Sequence, residues 1–215
     1  GRAKTDDNLA LQLEKSKQIC EALNIPIYSK EGFEADDMLG TIVEKEKKNN
    51  IDIIIASGDM DTMQLVSDEN KKSGSVKVYT LKKGIKETIL YDEKAVMERF
   101  GFEPELLIDF KGLRGDPSDN IIGIAGIGEK SATDLIQNFG TIENIYKKLK
   151  AGSLELKEKV KPRILELLKN GEEEAKFSKM LATIRRDAPI DFELPEQKWK
   201  ESVNFSKAEN IFKEL

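Results

Sequence analysis

The spacing of apolar positions changes along the chain, and each change predicts an element. Residues 7–23 place Leu9, Leu13, Ile19 and Leu23 at roughly helical intervals among Lys, Gln and Glu, which predicts an amphipathic helix. Pro26 opens an extended piece, and Ile25-Pro26-Ile27-Tyr28 reads as a short strand. From Glu34 to Val43 the pattern is helical again, with acidic residues in the first turn. The β-branched run at 51–56 is too short for a helix and continuous enough for a strand buried on both faces. Further strands are expected at 76–81 and 87–91, so the first half alternates helix and strand as an α/β sheet does. From Asp92 onward helical patterns separated by glycine take over, at 93–100, 104–112, 129–138, 141–150, 160–169 and 171–182. Ala151-Gly152-Ser153 marks a loop inside the most basic stretch, Lys147 to Lys161, and the tail after Pro189 carries few apolar residues and the only tryptophan, Trp199. No internal repeat or low-complexity segment interrupts this order.

At 215 residues the chain is long enough for one domain, or one with a small appendage, and its 39% hydrophobic content is that of a folded protein. Its longest apolar stretches run four or five residues, far short of the ~20 that a membrane span needs. With no basic-then-apolar signal pattern and a lone Cys20, a reducing, cytoplasmic setting without a membrane partner is expected. The chain contains no histidine, which excludes His-dependent nucleophile systems, a His general base and His-ligated metals. A single cysteine likewise excludes a zinc or iron-sulfur cluster held by this chain alone. Any metal must be held by oxygen, favouring Mg, Mn or Ca.

Three acidic motifs place carboxylates where they can converge. Glu34 and Asp37 share a helix face beside Asp36, although acidic first turns also serve simply to stabilise helix N-termini. Asp59 and Asp61 follow directly on the 51–56 strand, where ligands of open α/β sheets bind; the bland alternative is an Asx-turn or cap. Asp116 and Asp119 lie in Gly115-Asp116-Pro117-Ser118-Asp119-Asn120, a composition that equally suits a solvated turn. If these seven carboxylates converge, their repulsion calls for divalent cations, as in a two-metal site acting on a phosphodiester. The net charge of −5 becomes +2 once those seven negative charges are set aside, so a nucleic-acid partner is not disfavoured.

The glycine-rich segment that follows, Gly123 to Ala132, fails the P-loop spacing because Glu129 stands where Lys is required, and its glycines are in the wrong order for a dinucleotide fingerprint. That disfavours a nucleotide hydrolase. What survives is a tight hairpin between helices whose backbone N–H groups and Lys130 could hold a phosphate without reading sequence.

In order and spacing, E-A-D-D, then G-D-x-D after a strand, then G-D-x-S-D-N followed by G-I-G-E-K-[ST]-A, the chain resembles the 5′-nuclease (flap endonuclease) family, in particular the 5′-to-3′ exonuclease domain of bacterial-type DNA polymerases. The resemblance covers nearly the whole chain, most firmly residues 19–140. It implies an α/β fold with a PIN-like or Rossmann-like sheet flanked by helices and a helical half bearing a helix-3-turn-helix (helix-hairpin-helix). The implied boundaries are 1–92 for the α/β remnant, 93–190 for the helical region and 191–215 for a tail leading toward a possible polymerase domain. It further implies metal ligation by Glu34, Asp36 and Asp37 in a first region and by Asp59, Asp61, Asp116 and Asp119 in a second, the last four being catalytic. Two or more Mg or Mn ions are implied, with a potassium ion in the hairpin. Gly123, Gly126, Gly128, Lys130 and Ser131 would meet the backbone of DNA bearing a 5′ flap or a free 5′ end. The implied function is metal-dependent 5′-to-3′ exonuclease or flap cleavage in replication and repair. The rival reading is a non-catalytic DNA-binding module.

Ile122 and Ala125 depart from the prolines usual in the family's hairpin. Gly1-Arg2-Ala3-Lys4-Thr5 resembles the end of the family's basic arch, so two early aspartates and most of that arch are expected to be missing, and these residues alone are expected to have weak or no nuclease activity, with strand 51–56 left as an open edge.

Overall fold

The computed structural model describes residues 6–70, 73–83 and 87–214. The chain forms two compact units, Gly1–Phe33 with Pro189–Leu215 and Glu34–Ala188. In the first, helix α1 (Asp7–Ala22) begins where the Asp6 carboxylate accepts the Asn8 N–H at 2.8 Å, an N-cap that satisfies one of the helix's free donors. Residues 1–5, compared above with the family's arch, lie outside the described residues. The strand expected at Ile25–Tyr28 does not form: the segment is irregular, Ile25 and Ile27 are exposed, and Pro26 has no N–H to offer a neighbouring strand.

In the larger unit α2 (Ala35–Glu46) precedes a three-stranded sheet of β1 (Ile53–Ala56), β2 (Val76–Lys83) and β3 (Glu87–Tyr91), ordered β1-β2-β3. β1 and β2 run parallel, joined through a 3₁₀ turn at Met60–Leu65, and β2 and β3 antiparallel. The register pairs Ile55 with Val78 and Val78 with Tyr91, placing all three on one buried face. The opposite face carries Ile54, Tyr79, Leu81 and Leu90, all exposed, Ile54 at 65%. The expectation that β1 is buried on both faces is therefore wrong: its apolar run is continuous, but among the described residues only one face of the sheet is covered. Among the described residues β1 has a single partner strand, β2, and lies at the edge of the sheet.

The helices follow the apolar periodicity. α3 (Glu93–Phe100) is capped by the Asp92 carboxylate on Ala95 N–H at 2.8 Å and ends at Gly101 in the left-handed region. The stretch at 104–112 resolves into a 3₁₀ turn, Pro104–Leu106, and α4 (Leu107–Arg114). α5 (Glu129–Phe139) buries Ala132, Leu135, Ile136 and Phe139, a single face at the intervals of a 3.6-residue repeat. α6 (Ile142–Lys150) is capped by Thr141. The helix expected at 160–169 forms as α8 (Pro162–Asn170), which cannot begin earlier because the residue before a proline avoids helical geometry; a further short helix not expected from the sequence, α7 (Leu154–Lys159), precedes it and is capped by Ser153. α9 (Glu172–Ala182) packs against α4, which lies at the centre of the unit. Gly112 permits that approach: a Cβ there would stand 3.0 Å from the Ala175 carbonyl oxygen and 2.6 Å from Ile142 Cδ1.

The tail that the sequence left unassigned forms α10 (Trp199–Ser202) and α11 (Phe205–Glu214) in the smaller unit. α11 packs along α1, and the Trp199 indole N–H donates to the Leu23 carbonyl at 2.7 Å. Among the described residues no helix is long and apolar enough to cross a membrane.

Candidate metal centre and nucleic-acid interface

Two loops and one helix build the acidic site. β1 ends at Ala56 and is followed by Ser57-Gly58, and Asp59 then caps the 3₁₀ turn: its Oδ1 accepts the Asp61 N–H at 2.9 Å, while its own N–H donates to Ser57 Oγ. That turn aims Asp61 toward α4. The second loop leaves α4 at Gly115, φ +80°, and a bridge between Asp116 and Ile121 closes it, with N···O distances of 2.8 and 2.9 Å. Inside it Asp116 Oδ1 accepts the Ser118 N–H at 3.0 Å, an Asx-turn that fixes the carboxylate. An oxygen from each of Asp61, Asp116 and Asp119 lies within 4.8 Å of the others.

Asp59 stands outside that triad, though it lines the same cavity of about 590 Å³. Glu34, Asp36 and Asp37 form a separate set at the start of α2. Both Asp37 oxygens accept backbone N–H groups, from Glu34 at 3.0 Å and Arg185 at 2.8 Å, so this carboxylate caps α2 and ties it to the segment after α9. Burial raises the Asp36 carboxyl above its ordinary value, and the charges of Asp37, Glu34 and Asp59 add to the shift. Asp59 thus electrically links the two acidic sets.

Lys111, which the sequence reading missed, lies between the triad members. It is 7% exposed on α4, its ammonium bonded to Asp61 Oδ1 and 2.6 Å from Asp116 Oδ2. Burial alone would lower its pKa, but the hydrogen bonds to Asp116 and Asp61 outweigh that and hold it above the ordinary value. Burial wins at Asp61, whose carboxyl is raised despite Lys111; at Asp116 burial is outweighed by the hydrogen bonds from Lys111 and Ser118, and the carboxyl is lowered. The available signal was a charged residue set among the apolar positions Leu107, Phe110 and Leu113 of a core helix. Arg99 and Arg114 also line the cavity, Arg99 over the Phe100 and Tyr91 rings and Arg114 over Phe110. The same mouth therefore offers cations beside carboxylates.

The hairpin follows the acidic loop directly. Ile121, Ile124 and Ile127 are buried and anchor it, and the Ile127 N–H closes its turn on the Ile124 carbonyl at 3.0 Å. Gly126, Gly128 and Lys130 are exposed, and Ser131 is half-buried. Gly126 has φ +90°, and the Arg163 guanidinium stands 3.2 Å from where its Cβ would be. Gly123 is not on this surface. It is buried, its N–H donates to Ser178 Oγ at 3.0 Å, and a Cβ there would lie 2.2 Å from Gly115 N. Expected from the sequence at a phosphate grip, it sits instead where the acidic loop and the hairpin touch.

Residues 1–101 match the family model described as 5′-3′ exonuclease, N-terminal resolvase-like domain, and residues 102–204 match 5′-3′ exonuclease, C-terminal SAM fold. Among curated proteins, the chain is 40% identical over 195 residues to the DNA polymerase I of Chloroflexus aurantiacus, covering 90% of this chain and 19% of that protein. It is 39% identical over 216 residues to that of Bacillus caldotenax, covering 100% and 23%. The chain thus spans about a fifth of the length of these relatives. Among solved structures, the bacteriophage T5 flap endonuclease, crystallised as a pseudo-enzyme–product complex with DNA and metal ions, aligns with TM-score 0.64 and 21% identity over 98% of this chain and 72% of its own. The catalytic core of Rad2 in complex with a DNA substrate aligns with TM-score 0.53 and 17% identity over 97% and 70%. These two likenesses bear on the fold.

Proposed function

Because the chain belongs to the 5′-3′ exonuclease family, both of whose domains its sequence matches, we propose that its acidic cavity is the divalent-metal site of a 5′-to-3′ exonuclease or flap endonuclease acting on DNA. The observation that carries this reading is the convergence of Asp61, Asp116 and Asp119 from two separate loops. Three carboxylates within ligand reach of one another, in a chain without histidine, form a hard oxygen donor set that fits Mg or Mn. Asp61, Asp116 and Asp119 would hold the ion, with Asp59 and Asp36 adding to the negative field that attracts it. Bound there, a divalent ion supplies Lewis-acid stabilisation of the charge that develops on a phosphodiester.

The remaining residues position the strand. Arg99 and Arg114, at the cavity mouth, counter the repulsion between a phosphate and the carboxylates. Gly126 and Gly128 leave the hairpin backbone open to a phosphate, and Lys130 and Arg163 add charge beside it, contacts that fix register without reading bases. A polymerase domain joined to this chain, as the relatives' names imply for those proteins, belongs to the same proposal.

Cleavage of a 5′-labelled flap duplex tests it, with this chain alone and with the chain joined to the N-terminal segment that the family resemblance implies. In the joined form Asp116→Asn should reduce cleavage by about 100-fold or more while changing duplex affinity little, because such a site acts on transition-state charge. Cleavage that survives Asp116→Asn and Asp61→Asn contradicts the reading. Duplex binding without any cleavage would favour the non-catalytic DNA-binding module.

A further inference from the structure

The ammonium of Lys111 touches two of the three carboxylates in the triad, and side-chain exposures of 9% for Lys111, 14% for Asp61 and 15% for Asp116 leave water little part in neutralising them. Its backbone lies in α4, where Gly112 beside it packs closely against α9 and Ile142. Its three donor protons suit a group that bridges two acceptors, and Asp116 and Asp61 supply them. Three carboxylates and one ammonium carry a net charge of −2, which one divalent ion balances.

Resting on the reading of the triad as a metal site, we propose that Lys111 is its resident counter-cation, and that a divalent ion binds by exchanging with the lysine on Asp61 and Asp116. Lys111 then does two things. It holds the two loops converged before any ion arrives, and it weakens uptake by competing for the same oxygens. Removing it leaves two poorly solvated carboxylates facing each other, which destabilises the metal-free fold and makes an incoming ion the remaining means of neutralising them. A lysine that merely supported the fold would leave metal affinity unchanged or, through a distorted site, lower it.

The test compares this chain and its Lys111→Met variant by calorimetric titration with Mn²⁺ and by melting in chelator and in Mn²⁺. The variant should bind Mn²⁺ about tenfold more tightly, equivalent to about 1.4 kcal/mol. It should also melt lower in chelator and gain more from Mn²⁺, since an ion that binds only the folded chain raises stability with its affinity. Equal or weaker Mn²⁺ binding by the variant, with uptake by the parent intact, overturns the exchange and leaves the metal reading standing. No uptake by either chain brings down both. If the variant does not fold in chelator, the ¹⁵N side-chain ammonium signal of Lys111, assigned by its absence from Lys111→Arg, answers the question in the parent chain. It should shift on Mg²⁺ titration while that of Lys179, paired elsewhere, stays put; a Lys111 signal unmoved at saturating Mg²⁺ overturns the proposal.

Discussion

Replacing Asp109 by alanine removes the most deeply placed charge of α4. Asp109 is 1% exposed; its Oδ1 accepts the Ile142 N–H at 2.8 Å and the Lys179 ammonium at 2.6 Å, joining α4 to the start of α6 and to α9. Asp109→Ala leaves the buried Ile142 N–H without an acceptor, a loss of about 1–3 kcal/mol. Breaking a buried pair outright costs roughly 3–5 kcal/mol, but Lys179 retains Glu143 at 2.8 Å and some solvent, so the charge adds only part of that. A total of about 3 kcal/mol follows, which at about 2–4 °C per kcal/mol lowers the melting temperature by roughly 6–12 °C. Asp109→Asn separates the two contributions. Burial outweighs Lys179 and Ile142 and raises the Asp109 carboxyl above its ordinary value, so the fold disfavours the ionised form and a neutral isostere that still accepts from Ile142 should cost only about 1 kcal/mol. Guanidinium denaturation of the three chains measures the difference. Asparagine as damaging as alanine would show that the charge, not the acceptor, holds the helices together, and an alanine variant within about 0.5 kcal/mol of the parent would refute the whole reasoning.

Other expectations are independent of metal. Hydrogen bonds to Asp109 and Glu143 outweigh burial and hold the Lys179 pKa above 10.5, so its stabilisation is complete below that pH and is lost as pH rises through the raised value; melting curves from pH 9 to 11.5 should fall more steeply for the parent than for Lys179→Met. Gly123→Ala, at φ +63° against Gly115, should destabilise the chain by about 2 kcal/mol or more, whereas Gly128→Ala, with open space around it, should leave denaturation nearly unchanged; the reverse order would misplace the hairpin. Lys130→Ala should weaken duplex binding about equally for all sequences and reduce the salt slope by roughly one, and a sequence-dependent loss would show base contacts instead. Arg163→Ala, removing the guanidinium beside Gly126, should do the same; an unchanged salt slope would remove Arg163 from the interface.

Elements whose partners lie nearby in the chain were legible. The α5 apolar face, the glycine-punctuated helices and the strand at 87–91 follow from local periodicity and local caps. Burial of β1 was not legible, because an apolar run says that both faces tolerate a core, not that both meet one; Ile54 shows the difference. The acidic residues of the site were legible as types and spacings. Which of them converge depends on how the loop after β1 meets the loop after α4, and that is decided by Gly115 against Gly123, a contact no pattern encodes. Asp37 and Asp59 show the ambiguity in its sharpest form: each carries the capping bonds that the bland alternative described, and Asp59 lines the cavity as well. Lys111 was visible in the sequence only as a charge among the apolar positions of a core helix, and what it does there follows only once its two carboxylate partners are in place.

Crystals of the chain soaked in Mn²⁺ and measured at the manganese absorption edge test the central claim most directly. The account predicts an anomalous peak within ligand distance of Asp61, Asp116 and Asp119, absent from Asp119→Asn crystals or weakened there. Fully occupied manganese found elsewhere, with Asp61 and Asp116 still paired with Lys111, would contradict it.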